Sequence, residues 1–242
     1  LKTYFERYYE KTPQKNMKKY IAIALLISSQ SFGQIVSSAS AQYIDLDFRQ
    51  GTVDPFDLGS AEPIEGSLYL DKEFSEAFII TERGDFSTKK MRYNLDEDAM
   101  EFEMEGQKLM MDPTPLIKSV TIGPMVFVAA DFMFKGKVKR GFLELVEFGD
   151  YALYAKKNIS YRAPEAPKAL GVEGLPARYV RKPDTYFFKI PGEELTKVAS
   201  LKEIIALLDN DGEVLKKYVK KEKLKNKGLG DMAAMVKYLN SL

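Results

Sequence analysis

Residues Lys89–Glu105 read KKMRYNLDEDAMEFEME, and the fold follows from how they are read. Met91, Tyr93 and Leu95 alternate with Lys90, Arg92 and Asn94. Beyond an acidic turn, Met100, Phe102 and Met104 alternate with Glu101, Glu103 and Glu105. An apolar residue at every second position marks a half-buried antiparallel strand, so the stretch is a β-hairpin. The apolar positions are odd in the first strand and even in the second, and two registers keep them on one face. Pairing Leu95 with Met100 leaves a four-residue loop, Asp96–Ala99, of the kind built around a type I turn. It sets Tyr93 opposite Phe102, Met91 opposite Met104, Arg92 opposite Glu103 and Lys90 opposite Glu105. Pairing Leu95 with Asp98 also keeps the faces, but Asp96-Glu97 lacks the Gly or Asn that two-residue turns favour. The first register is the expected one.

The same grammar extends outward. Strands are expected at Tyr43–Phe48, Ser67–Leu70, Glu76–Thr81, Lys108–Met111 and Ile117–Ile122, with Gly51–Gly66 a linker or long loop. Met125–Phe134 (MVFVAADFMF) is apolar on both faces and reads as a central, doubly covered strand. Val138–Phe148 and Tyr151–Tyr161 flank Gly149-Asp150, a two-residue hairpin signal. Ser160–Pro183 is proline-rich and reads as a loop, with Asp184–Ile190 the last strand. From Gly192 the period changes to 3.6. Ser200 and Glu203 form a capping box before Leu201, Ile204, Ile205 and Leu208. A second helix starts near Asp209 or Asp211 and turns Val214, Leu215, Tyr218 and Val219 inward; a third is capped by Asp231, with Met232, Met235, Val236 and Leu239 inward. The expected fold is α+β: an antiparallel β-meander (67–192), curled into a half-barrel or sandwich, followed by about three short C-terminal helices (193–242).

The N-terminal region reads as processing signal. Met17-Lys18-Lys19 and the apolar run Tyr20–Ile27 have the form of a secretory signal peptide, too short to span a bilayer. Cleavage is expected after Gly33, before Gln34; Ala39-Ser40-Ala41 is a second candidate. Residues 1–16 then read as an over-called start, and residues 34–66 as an N-terminal strand and linker. Residues 1–33 carry six Lys/Arg and two Asp/Glu, so the remaining chain holds 30 basic and 33 acidic residues, a net −3. That balance argues against a general nucleic-acid binder. The expected location is periplasmic or secreted.

Absent residue types exclude whole chemistries. Without Cys there is no disulfide, no thiolate nucleophile and no lipidated cysteine; without His there is no Ser-His-Asp triad and no His-ligated zinc. Catalysis would fall to carboxylates, Lys, Tyr or Ser. Gly66-Ser-Leu-Tyr-Leu with Phe74, Arg92-Tyr-Asn94 leading to Met100-Glu-Phe102, and the Lys/Leu-rich C-terminal helices resemble an uncharacterised group of exported Gram-negative β-meander proteins. The resemblance covers roughly Gly66 to the C-terminus. It implies export and a β-then-α layout, and it carries no activity or site residue.

Several constellations have simpler explanations. Taking Gly212 as the glycine of a calcium loop puts Leu207 and Tyr218 at its first and last ligand positions, so Asp209–Glu213 reads as an inter-helix turn. Asp45/Asp47 and Asp96/Glu97/Asp98 read as solvated faces and turns. Met100/Met104 and Met110/Met111 suit a soft metal, but Met100 and Met104 flank Phe102 on the expected core face, where Met is ordinary filler. No metal and no cofactor is expected. Lys216, Lys217, Lys220, Lys221, Lys223, Lys225 and Lys227 offer anionic lipid a basic face, set against an ordinary solvated one. Asp131 stands in an apolar strand: it either pairs with Glu144 or Glu147 as an acid/base group, or faces solvent at a bulge or strand end. The expected function is a non-enzymatic interaction module of the periplasm or envelope, binding through a sheet edge or the loop Arg162–Pro183. The alternative is a carrier of an apolar ligand, with Phe127, Phe132, Phe134, Phe142, Phe187 and Phe188 lining a cavity beside Asp131. A third class, a carboxylate-dependent hydrolase, requires two carboxylates converging in one cleft.

Overall fold

The computed structural model describes residues 48–50, 64–104, 106–167, 174–208 and 211–242. The expected start, signal peptide and cleavage site, and nearly all of the Tyr43–Phe48 strand, lie outside them, as do Glu105 and most of the linker. One antiparallel sheet holds eleven strands: β1 (Phe48–Gln50), β2 (Ser75–Thr81), β3 (Asp85–Asn94), β4 (Ala99–Met104), β5 (Gln107–Met111), β6 (Ile117–Ile122), β7 (Met125–Phe134), β8 (Lys137–Glu147), β9 (Ala152–Arg162), β10 (Arg178–Lys189) and β11 (Thr196–Val198). Three helices follow, α1 (Leu201–Ala206), α2 (Gly212–Lys221) and α3 (Leu229–Leu239), so the α+β meander stands.

The hairpin takes the register not expected. Met91 pairs with Phe102, Arg92 with Glu101, Tyr93 with Met100 and Asn94 with Ala99. The cause is Asn94, whose Oδ1 accepts the amides of Asp96 at 3.1 Å and Glu97 at 3.0 Å and starts the turn one residue early. Asp98 closes the turn at φ 53, in the left-handed region that Asp tolerates. The loop is therefore Leu95–Asp98, and four residues long after all. Met91, Tyr93, Met100 and Phe102 are all buried on one face.

The opposite face is solvated at Lys90 and Glu103 but covered at Arg92 and Glu101. The expected Ser67–Leu70 strand is instead an irregular strap, bridged to the hairpin only at Tyr69 and Asn94. Arg92 lies 3.5 Å from the Tyr69 ring centre and 4.4 Å from that of Phe74. Its guanidinium holds the fully buried Glu101 at 2.6 Å, and Tyr69 donates to the same carboxylate at 2.9 Å. A buried carboxylate persists only when paired in this way.

The strand order is β1-β5-β4-β3-β2-β6-β7-β8-β9-β10-β11. Asp112–Leu116 joins β5 to β6, although β4, β3 and β2 lie between them. Four spacings of a flat sheet are about 19 Å, nearly the reach of so short a segment. Yet the segment contains a turn in which Ile117 N–H donates to Thr114 O at 3.2 Å, so the sheet must curl there. On one surface of the sheet, Tyr93 meets Phe127 and Phe142 edge-on at 5.1 and 6.0 Å. On the other, Phe132, Leu143 and Phe187 form a second core, and β11 comes back alongside β7.

Other expectations shift for identifiable reasons. β10 begins at Arg178, inside the expected loop, because Pro183 falls at a bulge between Lys182 and Thr185 where no ladder amide is needed. The β8–β9 turn has four residues, Phe148–Tyr151, because Asn240 of the C-terminal segment grips it. Asn240 accepts Tyr151 N–H at 2.9 Å and donates to Tyr151 O at 2.8 Å. Gly149 permits this approach, since a Cβ there would fall 2.3 Å from the Asn240 side chain. β7 is central in order but not doubly covered, for Met133 and Phe134 are exposed.

Ser200 caps α1, accepting Glu203 N–H at 3.3 Å. Asp231 does not cap α3, which starts two residues earlier at Leu229; it accepts Lys225 N–H instead. Val214 is exposed rather than inward, while Leu215, Met232, Met235, Val236 and Leu239 pack on Leu153 and Phe188 of the sheet.

Candidate functional site

The least covered part of the sheet is the outer half of β7–β8. β6 pairs with β7 only from Met125 to Phe127. β9 pairs with β8 only at Glu144, Leu145 and Glu147. Between these limits, residues 128–134 and 137–143 have no ladder partner but each other among the described residues. The outcome is a two-stranded arm, closed by Lys135-Gly136 with φ 50 and 75, the positive-φ pair of a type I′ turn. Such a turn makes Phe134/Lys137 a hydrogen-bonded pair, so bonded and non-bonded pairs alternate inward. The amide and carbonyl groups of Ala129, Asp131 and Met133 therefore point away from β8, to the open edge.

The arm's foot is held by a polar plug in the gap between β8 and β9. Phe142 is a non-bonded residue towards β7, so its own amide and carbonyl face this gap. Asp98, at the end of the β3–β4 turn, accepts Phe142 N–H at 3.3 Å. Lys156 of β9 donates to Asp98 Oδ1 at 2.5 Å, to Tyr93 Oη at 2.8 Å and to Phe142 O at 3.4 Å. Tyr93 donates to Asp98 at 2.5 Å. Gly141 leaves room for the carboxylate, as a Cβ there would lie 2.4 Å from Asp98 Oδ2. Burial lowers the Lys156 pKa, with Asp98 pulling it back up. Burial, then the Asp98 charge, pushes the Tyr93 phenol well above its ordinary range. All these groups are spent on each other, and the plug is architectural.

A groove of about 460 Å³ runs along the open edge of β7. Ala130, Asp131, Phe132, Met133 and Val138 form one wall, Lys189 and Gly192–Leu195 the other, and Tyr154 also lines it. Residues of both strand faces line it because it follows the edge itself. Asp131 faces solvent and is engaged by its cross-strand neighbour Arg140, at 2.8 Å (Nε to Oδ1) and 2.6 Å (Nη2 to Oδ2). The hydrogen bonds from Arg140 hold its carboxyl below the usual aspartate range. Its partner is thus a cation, not Glu144 or Glu147. Glu144 sits with Asp184 around Lys157 Nζ, at 2.6 and 2.7 Å. Two carboxylates do converge there, but both are bound to one ammonium.

The phenylalanines named from sequence divide among several environments. Phe132 reaches the groove and Phe134 the arm's tip. Phe127 and Phe142 are buried on one surface of the sheet, Phe187 in the core on the other, and Phe188 beneath the helices, 6.0 Å from the stacked Tyr151 ring. Strand parity separates them, since 127 and 132, or 187 and 188, cannot share a face. Met133, Tyr154, Lys189 and Leu195 also line the groove; only the turn at Gly192 hints at their meeting. The seven lysines from Lys216 to Lys227 are exposed, with Glu213 and Glu222 among them. Among the described residues no helix is long and apolar enough to cross a membrane. No known protein family, curated protein or solved structure matches the chain.

Proposed function

We propose that this protein is an exported, non-enzymatic binding module of the cell envelope that captures an extended segment of a partner protein along the open edge of β7. The observation that carries the reading is the row of outward amides and carbonyls at Ala129, Asp131 and Met133, bordered by a groove with apolar and charged walls. Adding a strand to such an edge gives affinity through main-chain hydrogen bonds and specificity through alternate side-chain pockets. At about 3.3 Å per residue the edge admits roughly five residues of a guest strand. One side of the guest meets Phe132, Tyr154 and Leu195; the backbone meets β7. The carrier reading finds enough volume here, but the groove is open, and five of the six phenylalanines it relied on are packed in cores, Phe132 alone of them also reaching the groove.

Selection of displayed random peptides on the full-length protein tests the proposal. The expected binders alternate apolar and polar residues and slow amide exchange at Ala129, Asp131 and Met133. Ala129→Pro removes an outward donor without touching the β7–β8 ladder and is expected to lower affinity at least tenfold. Binders that protect amides elsewhere, or that ignore Ala129→Pro in a folded variant, refute it.

A further inference from the structure

We propose that the tip of the β7–β8 arm is a contact site for an anionic lipid bilayer. Met133 and Val138 also line the groove, while Phe134, Lys135, Lys137 and Lys139 do not, so bilayer contact does not depend on a peptide binding at the edge. Met133, Phe134 and Val138 are 49, 39 and 65 % exposed, three apolar side chains within six residues at the end of the arm. Met133 and Val138 are cross-strand partners, so their side chains form one patch. Phe134 emerges on the other face beside Lys139 and Lys135, whose ammonium groups stand 5.0 and 5.3 Å from its ring centre. Lys137 completes a cationic collar; no Asp or Glu occurs from Phe132 to Leu143, Asp131 is held by Arg140, and Glu193 and Glu194 stand on the far wall of the groove.

This pairing of apolar tip and lysine collar is what the bilayer interface selects. Aromatic and aliphatic groups enter the boundary between head groups and acyl chains, while ammonium groups on flexible stems reach phosphates above it. The two-residue turn suits it further, because only Lys135, on a flexible stem, and Gly136 stand ahead of the apolar side chains. An acidic protein surface would meet the lysines equally well but would gain little from three unshielded apolar residues. The lysines of α2 and the following turn lack this partnership: their helix turns Leu215 inward and leaves only Val214 exposed as a large apolar side chain.

Flotation of the full-length protein with phosphatidylcholine vesicles, with and without phosphatidylglycerol, decides the matter. Binding is expected to the anionic vesicles and to weaken with salt. Each lysine near such a surface is worth about a fivefold gain, so Lys135→Gln/Lys137→Gln/Lys139→Gln should lower partitioning on the order of 100-fold. Met133→Ser/Phe134→Ser should lower it as well, and all these sites are exposed enough to leave the circular dichroism spectrum unchanged. Substituting Lys216, Lys217, Lys220 and Lys221 by Gln should leave partitioning within about twofold of the parent protein. The proposal is overturned by absence of binding to anionic vesicles at low salt. It is equally overturned by binding that survives the tip variants, or by loss through lysines alone with Met133→Ser/Phe134→Ser silent, the mark of a polyanion site.

Discussion

Replacing Lys156 by methionine tests whether the plug between β8 and β9 holds the sheet together. The ammonium side chain is 12 % exposed and the Asp98 carboxylate 26 %. Breaking a buried pair by deleting one partner costs about 3–5 kcal/mol. Asp98 can draw some water and keeps Tyr93 and Phe142 N–H as donors, which places the expected loss near the lower bound, about 2–3 kcal/mol. Asp98→Asn should cost about as much, by leaving the ammonium without its counter-charge, while asparagine still suits the left-handed turn position. In the double variant the amide accepts from Phe142 N–H with no buried charge opposing it. Its loss should therefore fall short of the two single losses together by at least about 1.5 kcal/mol. Urea titration followed by far-ultraviolet dichroism and tyrosine emission gives all three values, the chain having no tryptophan. A loss below about 0.5 kcal/mol for Lys156→Met, or additivity in the cycle, would show that water serves the gap as well as the plug does.

Two further outcomes follow from the same geometry. Gly149→Ala places a methyl group against Asn240 and should cost about 1–3 kcal/mol, with far less in an Asn240→Ala background, measured by thermal unfolding of the single and double variants. Because the Tyr93 phenol titrates higher in the folded chain, the stability it confers is complete below pH 10.0 and is lost as pH rises through the folded value. The stability gap between parent and Tyr93→Phe should therefore narrow as pH rises above about 10, as urea unfolding across that range would show; a constant or widening gap contradicts the assignment.

Side-chain alternation made most of the sheet legible before any coordinates. β6 and β7 have the expected limits, and the capping box marked the start of α1, because these signals are local. The register of β3–β4 escaped because it turns on what one Asn94 side chain does with two amides, a preference no apolar pattern reports. The first residues of β10 escaped because Pro183 reads as a breaker until a bulge is known to receive it. At the candidate site Asp131 was a visible oddity, but its cation, Arg140, is set by the Lys135-Gly136 turn that fixes the cross-strand partner. The open edge of β7 was not readable, since it depends on how far β6 and β9 extend beside the arm. Within each strand the phenylalanines could have been sorted by odd and even position; matching them across strands needed the register.

The plug also bears on how the chain matures. It joins residues 58 and 63 positions apart, and Asp98 waits for Lys156, its counter-charge, while the β8 border facing β9 stays unpaired. A nascent chain that has completed β7 and most of β8 therefore presents a half-finished, adhesive border until β9 emerges. Unpaired borders of this kind invite neighbouring chains to zip onto them. Synthesis slowed between Phe142 and Lys156 should raise the share of the product lost to aggregates, whereas a pause placed after β9 should not.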